Sequence, residues 1–131
     1  MSNVIYLSGR DLRATILLVE SQPLMRIATA AFLRQREFIV VEAIDGEEAL
    51  KYLRAGRPVH LVFSAVDLSG AILGLGLADM IGRDFPEVKI VMNGRAPEDI
   101  PFPRLKRPYD LPKLESVIRS SLGLSQVAAT K

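Results

Sequence analysis

Four short apolar runs rich in branched residues recur along the chain: Thr15-Ile-Leu-Leu-Val19, Phe38-Ile-Val-Val41, Leu61-Val-Phe-Ser64 and Val88-Lys-Ile-Val-Met92. Helix-period segments separate them. Runs of this length without polar alternation suit strands covered on both faces, and such strands form parallel sheets joined by helical crossovers. The first run ends in Glu20-Ser-Gln-Pro23, where Ser21 or Gln22 can cap a helix with Pro23 in its first turn. Leu24, Ile27, Ala28, Ala31 and Phe32 then recur at helical spacing to about Arg36. Asp45-Gly-Glu-Glu48 sets a capping carboxylate before a glutamate, and Ala49, Leu50 and Leu53 make an apolar stripe that Gly56 stops. A glycine-bearing loop leads to a third helical pattern through Leu77, Ala78, Ile81 and Phe85. After the fourth run, Pro97, Pro101 and Pro103 fall close together, and an α-helix tolerates proline poorly beyond its first turn. No full helix fits there. A short extended piece around Arg104 to Lys106 precedes a last helix from about Asp110, with Leu114, Val117, Ile118, Ser121 and Leu122 on one face and Gly123 closing it.

This alternation predicts an α/β fold, a flavodoxin-like three-layer sandwich around a five-stranded parallel sheet of order 2-1-3-4-5. In such sheets ligands bind at the carboxyl ends of the strands, so the loops after strands one, three and four are where function is expected. With 131 residues the chain is expected to hold one core, at residues 15–124. Residues 1–14 read as an extension whose Val4-Ile-Tyr-Leu7 adds an edge strand or meets a partner, and residues 125–131 read as a frayed tail. On this reading the domain stands alone, without an effector domain.

Composition removes whole classes of chemistry. The chain has no cysteine, which excludes disulfides, thiol nucleophiles and iron–sulfur clusters, and its single histidine, His60, excludes histidine-pair metal sites. A net charge of +2 is no nucleic-acid footprint, and the basic residues Arg95, Arg104, Lys106, Arg107 and Lys113 are interleaved with Glu98, Asp99, Asp110 and Glu115. Nucleic acid is therefore not the expected partner. No apolar run approaches the roughly 20 residues of a membrane span, and no signal-peptide pattern opens the chain, so the expected address is the cytoplasm. Gly70-Ala-Ile-Leu-Gly-Leu-Gly76 has neither dinucleotide nor Walker spacing and reads as a flexible approach to a helix.

The segments Ile-Leu-Leu-Val-Glu20 with Pro23-Leu, Val-Val-Glu-Ala-Ile-Asp-Gly-Glu-Glu-Ala-Leu50, His-Leu-Val-Phe-Ser64 and Arg-Pro-Tyr-Asp110 together resemble the receiver domain of bacterial two-component response regulators, the CheY-like family. The resemblance covers residues 15–122. It implies a phosphoryl-accepting aspartate at the end of strand three and an acidic pair after strand one that holds magnesium. It further implies a serine or threonine after strand four, an aromatic switch residue, and a lysine before a proline. Carried onto this chain, the acidic pair falls on Glu20 and Ser21, the phosphoacceptor on Ala65, the hydroxyl on Asn93, the aromatic residue on Arg104 and the lysine on Arg107. Each of these positions has changed chemistry, apart from the one carboxylate of Glu20. Only 14 positions separate Asn93 from Arg107, about two helical turns fewer than the family spends there, so helix four is expected to be missing or reduced to a turn at Pro97-Glu-Asp-Ile100.

The expectation is a degenerate receiver that is not an enzyme, uses no cofactor, and serves a phosphorelay-type system as a protein-binding or self-dimerising module. A different class stays open: a sensor that takes a small molecule or anion in the crevice around Ser21, Ala65 and Asn93. Asp67 is two residues too far along to replace the phosphoacceptor. Glu20 with Asp67 is the one candidate for a weak magnesium site, against an ion pair of Glu20 with Arg107 that would close the pocket. Loss of helix four should uncover Ile90 and Met92, to be covered by the proline-rich loop, the Val4–Leu7 segment or another chain.

Overall fold

The computed structural model describes residues 4–7 and 10–124, with side chains from residue 13 onward. Its central sheet comprises β3 (Thr15–Val19), β4 (Ile39–Ala43), β5 (Leu61–Ala65), β6 (Lys89–Asn93) and β7 (Arg104–Leu105), all parallel, in spatial order β4-β3-β5-β6-β7. Counted within this sheet alone, that is the expected 2-1-3-4-5. β1 (Val4–Leu7) pairs antiparallel with β2 (Arg10–Arg13) in a separate two-stranded sheet, so the first segment does not become an edge strand of the main one. The tail at 125–131 lies outside the described residues.

The helices are α1 (Pro23–Gln35), α2 (Gly46–Arg54), α3 (Gly74–Asp84) and α4 (Leu111–Leu122). Residues 94–103, between β6 and β7, form bends and one turn at 98–99 with no helix, so the fourth helix of the chain is the terminal one. Alternate strand residues supply two cores. Leu17, Val62, Ile90 and Met92 pack with Leu50 and Leu53 of α2 and Leu77 and Ile81 of α3. Ile16, Leu18, Phe63 and Val91 pack with Leu33 of α1 and Leu114 and Ile118 of α4. The proline-rich loop provides the cover that a helix would otherwise give: Ile100 and Phe102 pack on the first core, leaving Ile90 7% and Met92 0% exposed.

Local signals explain the helix ends. Asp45 accepts the Glu48 N–H at 2.9 Å while Glu48 accepts the Ile44 N–H at 2.7 Å, a reciprocal pair that satisfies two otherwise unpaired donors. Asp110 likewise caps α4 through the Lys113 N–H, and Gly123 ends it at φ +72°, where a glycine avoids a Cβ clash. Most of the apolar stripe of α1 lies on its outer face. Thr29, Ala30 and Leu33 face the core, whereas Leu24 and Ile27, with Ala28 and Ala31, face outward. The spacing marked the helix, and of its five residues Phe32 packs against the second core. In α4, Glu115 and Arg119 are buried beside the apolar stripe, Glu115 through a 2.9 Å ion pair with Arg36.

His60 stitches three strands. Its Nδ1 accepts the Thr15 N–H at 2.9 Å, its own N–H donates to Thr15 O at 2.9 Å, and its carbonyl accepts the Lys89 N–H at 3.1 Å. Burial lowers its pKa from the ordinary 6.5, which keeps Nδ1 free to accept. The unfolded chain then binds the proton more readily, so this contribution to stability is complete above pH 6.5 and is lost as pH falls through the lowered value. Urea unfolding is expected to show stability falling as pH drops from about 7 through the lowered His60 value. In His60→Gln that step should vanish; an unchanged pH profile would remove the histidine from the account.

Candidate functional site

Because β3, β5 and β6 are adjacent and parallel, the residues that finish them meet at one end of the sheet. Glu20 follows β3, Ala65 ends β5 and Asn93 ends β6, the last two paired in register. All three are buried. Glu20 Oε2 accepts the Gln22 N–H at 3.1 Å, which tightens the turn into α1. Its Oε1 has no hydrogen-bond donor among the described residues and lies 3.8 Å from Arg107 Nη1, an ion-pair contact too long for a hydrogen bond. A carboxylate removed from water needs a compensating charge, and Arg107 supplies it. The Met25 sulfur, 2.7 Å from Nη2, holds the guanidinium from the other side.

Asn93 contributes an open valence. Neither its amide nitrogen nor its oxygen has a partner among the described residues, although both are buried, and the side chain can both give and take a hydrogen bond. Ser21 turns away from this centre. Its hydroxyl donates to Ile44 O at 2.7 Å and accepts from the Ser69 N–H at 2.9 Å, tying the loop after β4 to the loop after β5. Arg104, on β7, donates from Nη1 to Gly94 O at 3.1 Å and so folds back over the end of β6. Asp67 is exposed on the loop beyond Ala65.

The structure therefore gathers Glu20, Ala65, Asn93 and Arg107, and leaves Ser21, Asp67 and Arg104 around them. Of the residues around which a crevice was expected, Ala65 and Asn93 are buried and Ser21 is engaged by both loops. Open space begins one step outward, in a cavity that Asp67, Arg104 and Arg107 line. Among the described residues, no group of three or more histidine or acidic side chains could hold a metal ion.

Two residues at this end escaped the sequence reading. Tyr109 packs edge-on against Phe63, with ring centroids 5.5 Å apart, and its hydroxyl shares a 3.0 Å hydrogen bond with Thr29. Burial raises the Tyr109 pKa above its ordinary 10.0, while Thr29 and Arg107 act in the opposite direction. Thr29 sits one residue outside the apolar stripe read for α1, and nothing in its neighbours marks it as buried.

Residues 16–101 match the family model described as the response regulator receiver domain. The nitrogen assimilation regulatory protein NtrX of Azorhizobium caulinodans is 37% identical over 78 residues, which are 59% of this chain and 17% of that protein. The chain thus spans under a fifth of that relative. Among solved structures, the signal receiver domain of an HD domain-containing protein from Pseudomonas fluorescens is 27% identical, with a TM-score of 0.77 over 85% of this chain and 95% of that one. The co-crystal structure of the Saccharomyces cerevisiae histidine phosphotransfer protein Ypd1 with the receiver domain of Ssk1 matches at 20% identity, with a TM-score of 0.74 over 90% of this chain and 94% of that one. The order of the strands, the residues gathered at their carboxyl ends and the family match agree: this chain belongs to the response regulator receiver domain family.

Proposed function

We propose that this receiver works without a phosphorylation switch, as a protein-binding module of a two-component signalling system. The observation that carries the reading is Ala65, a fully buried methyl group at the end of β5, with no oxygen to attack phosphorus. Beside it, Glu20 and Arg107 offset each other's charge instead of leaving a carboxylate for magnesium. In this reading the chain catalyses nothing and needs no cofactor.

Binding is assigned to the outer face of α1. Leu24 is 85% and Ile27 57% exposed, with exposed Ala28 and Ala31 continuing one apolar stripe. Arg26, next to Ile27 in sequence, is drawn aside by Glu20 O and the Glu42 carboxylate, and Arg34 also pairs with Glu42. An apolar helical stripe suits a helix packed across it. The receiver of Ssk1, which shares this fold, is solved with a histidine phosphotransfer protein, and a partner of that class is the one we assign.

Incubation of the full chain with acetyl phosphate and magnesium should leave its mass and amide NMR spectrum unchanged; an adduct on any aspartate would overturn the switch-free reading. Titration with a histidine phosphotransfer protein should show binding that the double variant Leu24→Glu, Ile27→Glu weakens by about tenfold or more, with an unchanged melting temperature. Equal binding by the variant would remove α1 from the account. A wild-type dimer that the variant splits would replace the partner with a second copy of the chain.

A further inference from the structure

Where a helix would join β6 to β7, the chain leaves a cavity of about 550 Å³ with four cations on its wall: Arg95, Arg104, Lys106 and Arg107. Asp67 and Glu98 are the two carboxylates that line it, so the wall carries a surplus of positive charge. Arg95 and Lys106 take part in none of the ion pairs among the described residues. Arg104 is half-buried and steadied by Gly94 O, so its fork is partly ordered before any ligand arrives. A second recess of about 410 Å³ is lined by Val66, Ile72, Leu73, Leu75 and Met80, again with Asp67. Asp67 is the wall the two share.

We propose that the two neighbouring recesses together bind a nucleoside phosphate. The chemistry follows from the three kinds of wall. Guanidinium forks and an ammonium group suit phosphate oxygens, which they can meet in two-pronged, charge-assisted hydrogen bonds. The carboxylates of Asp67 and Glu98 would repel a bare anion but accept hydrogen bonds from sugar hydroxyls. The aliphatic and thioether side chains around Leu73 and Met80 offer a flat apolar ring a place out of water. Leu73 is 59% exposed without a ligand, so a ring seated there would remove apolar surface from solvent. Both recesses fall in the size range of small-ligand sites. The site lies around the loops after β5 and β6, apart from the α1 stripe, so it stands or falls independently of partner docking.

Isothermal titration of the full chain with ATP, GTP, adenosine and pyrophosphate, at low and high salt, tests the proposal. ATP or GTP should bind at least about tenfold more tightly than adenosine or pyrophosphate, since only the nucleotide fills both recesses. The double variant Arg95→Glu, Lys106→Glu should weaken nucleotide binding by about tenfold or more, and Leu73→Asp should weaken it while leaving any pyrophosphate binding unchanged. All these positions are exposed, and thermal melts of the variants check that folding is intact. No binding by either nucleotide, pyrophosphate as tight as the nucleotides, or variants that bind like the wild type would each overturn the assignment.

Discussion

Gly74→Ala is expected to destabilise the fold by about 3 kcal/mol or more, enough to lower the melting temperature by about 10 °C. A Cβ at this position would overlap the carbonyl oxygen of Ala65 and fall 2.7 Å from both Cα and O of Val66. These are backbone atoms, so no side chain can swing aside. The Gly74 N–H is also bonded to Val66 O at 3.0 Å, which fixes the start of α3 against the end of β5. Relief requires the helix to lift, and Leu77, Ala78 and Ile81 would leave the core with it. Gly82 is the control on the same helix: it is exposed and has nothing within 4 Å of its would-be Cβ. Gly82→Ala should stabilise by up to about 1 kcal/mol through helix propensity. Denaturant unfolding of both variants measures the contrast, and a Gly74→Ala protein within about 1 kcal/mol of wild type would show that the contact yields.

Ala65→Asp, which places an aspartate where the family resemblance puts its phosphoacceptor, should also cost about 3 kcal/mol at neutral pH. The new carboxylate would sit in a fully buried position, one strand from the buried carboxylate of Glu20. Arg107 can serve one of them and is already committed at 3.8 Å to Glu20. Desolvation and a like charge both raise the pKa of the added group, so the folded state binds its proton more tightly than the unfolded chain does. The deficit should therefore shrink as pH falls through that raised value and reach its full size above it. Stability measured at about pH 4.5 and about pH 7.5 would show the difference narrowing at the acid end. An Ala65→Asp protein as stable as wild type at both would mean the site still welcomes a second anion, which would weaken the case for a switch-free receiver.

Much of the architecture was legible because burial on two faces writes long apolar runs, and four of the five strands of the main sheet were found from such runs, whereas the two-residue β7 was read only as a short extended piece. The place of the site was legible for a related reason, since parallel strands deliver the residues after them to one end, while the choice of Glu20, Ala65 and Asn93 at that end came from the family resemblance. Less visible was anything decided by rotation of an element about its own axis. On α1 the apolar spacing of Leu24, Ile27, Ala28 and Ala31 was real, yet the shorter Thr29 and Ala30 face the sheet, with Leu33 filling the gap behind them. Periodicity reports that a stripe exists and is silent about which stripe is inward. Gly74 could not be singled out among Gly70, Gly74 and Gly76, since its role comes from the close approach of a strand distant in sequence. The covering of Ile90 and Met92 by Ile100 and Phe102 was one of three arrangements that the residues allowed.

The two-residue strand β7 also bears on how the molecule behaves in a crowd. It closes one side of the sheet, where an open row of backbone donors and acceptors would template the addition of further chains. Its hold on β6 comes through Pro103 O and Leu105 O, while Pro101 and Pro103 have no N–H to offer an incoming strand. The prolines that stand in place of a helix therefore also leave this edge of the sheet with fewer backbone donors for an incoming strand than an ordinary edge would offer.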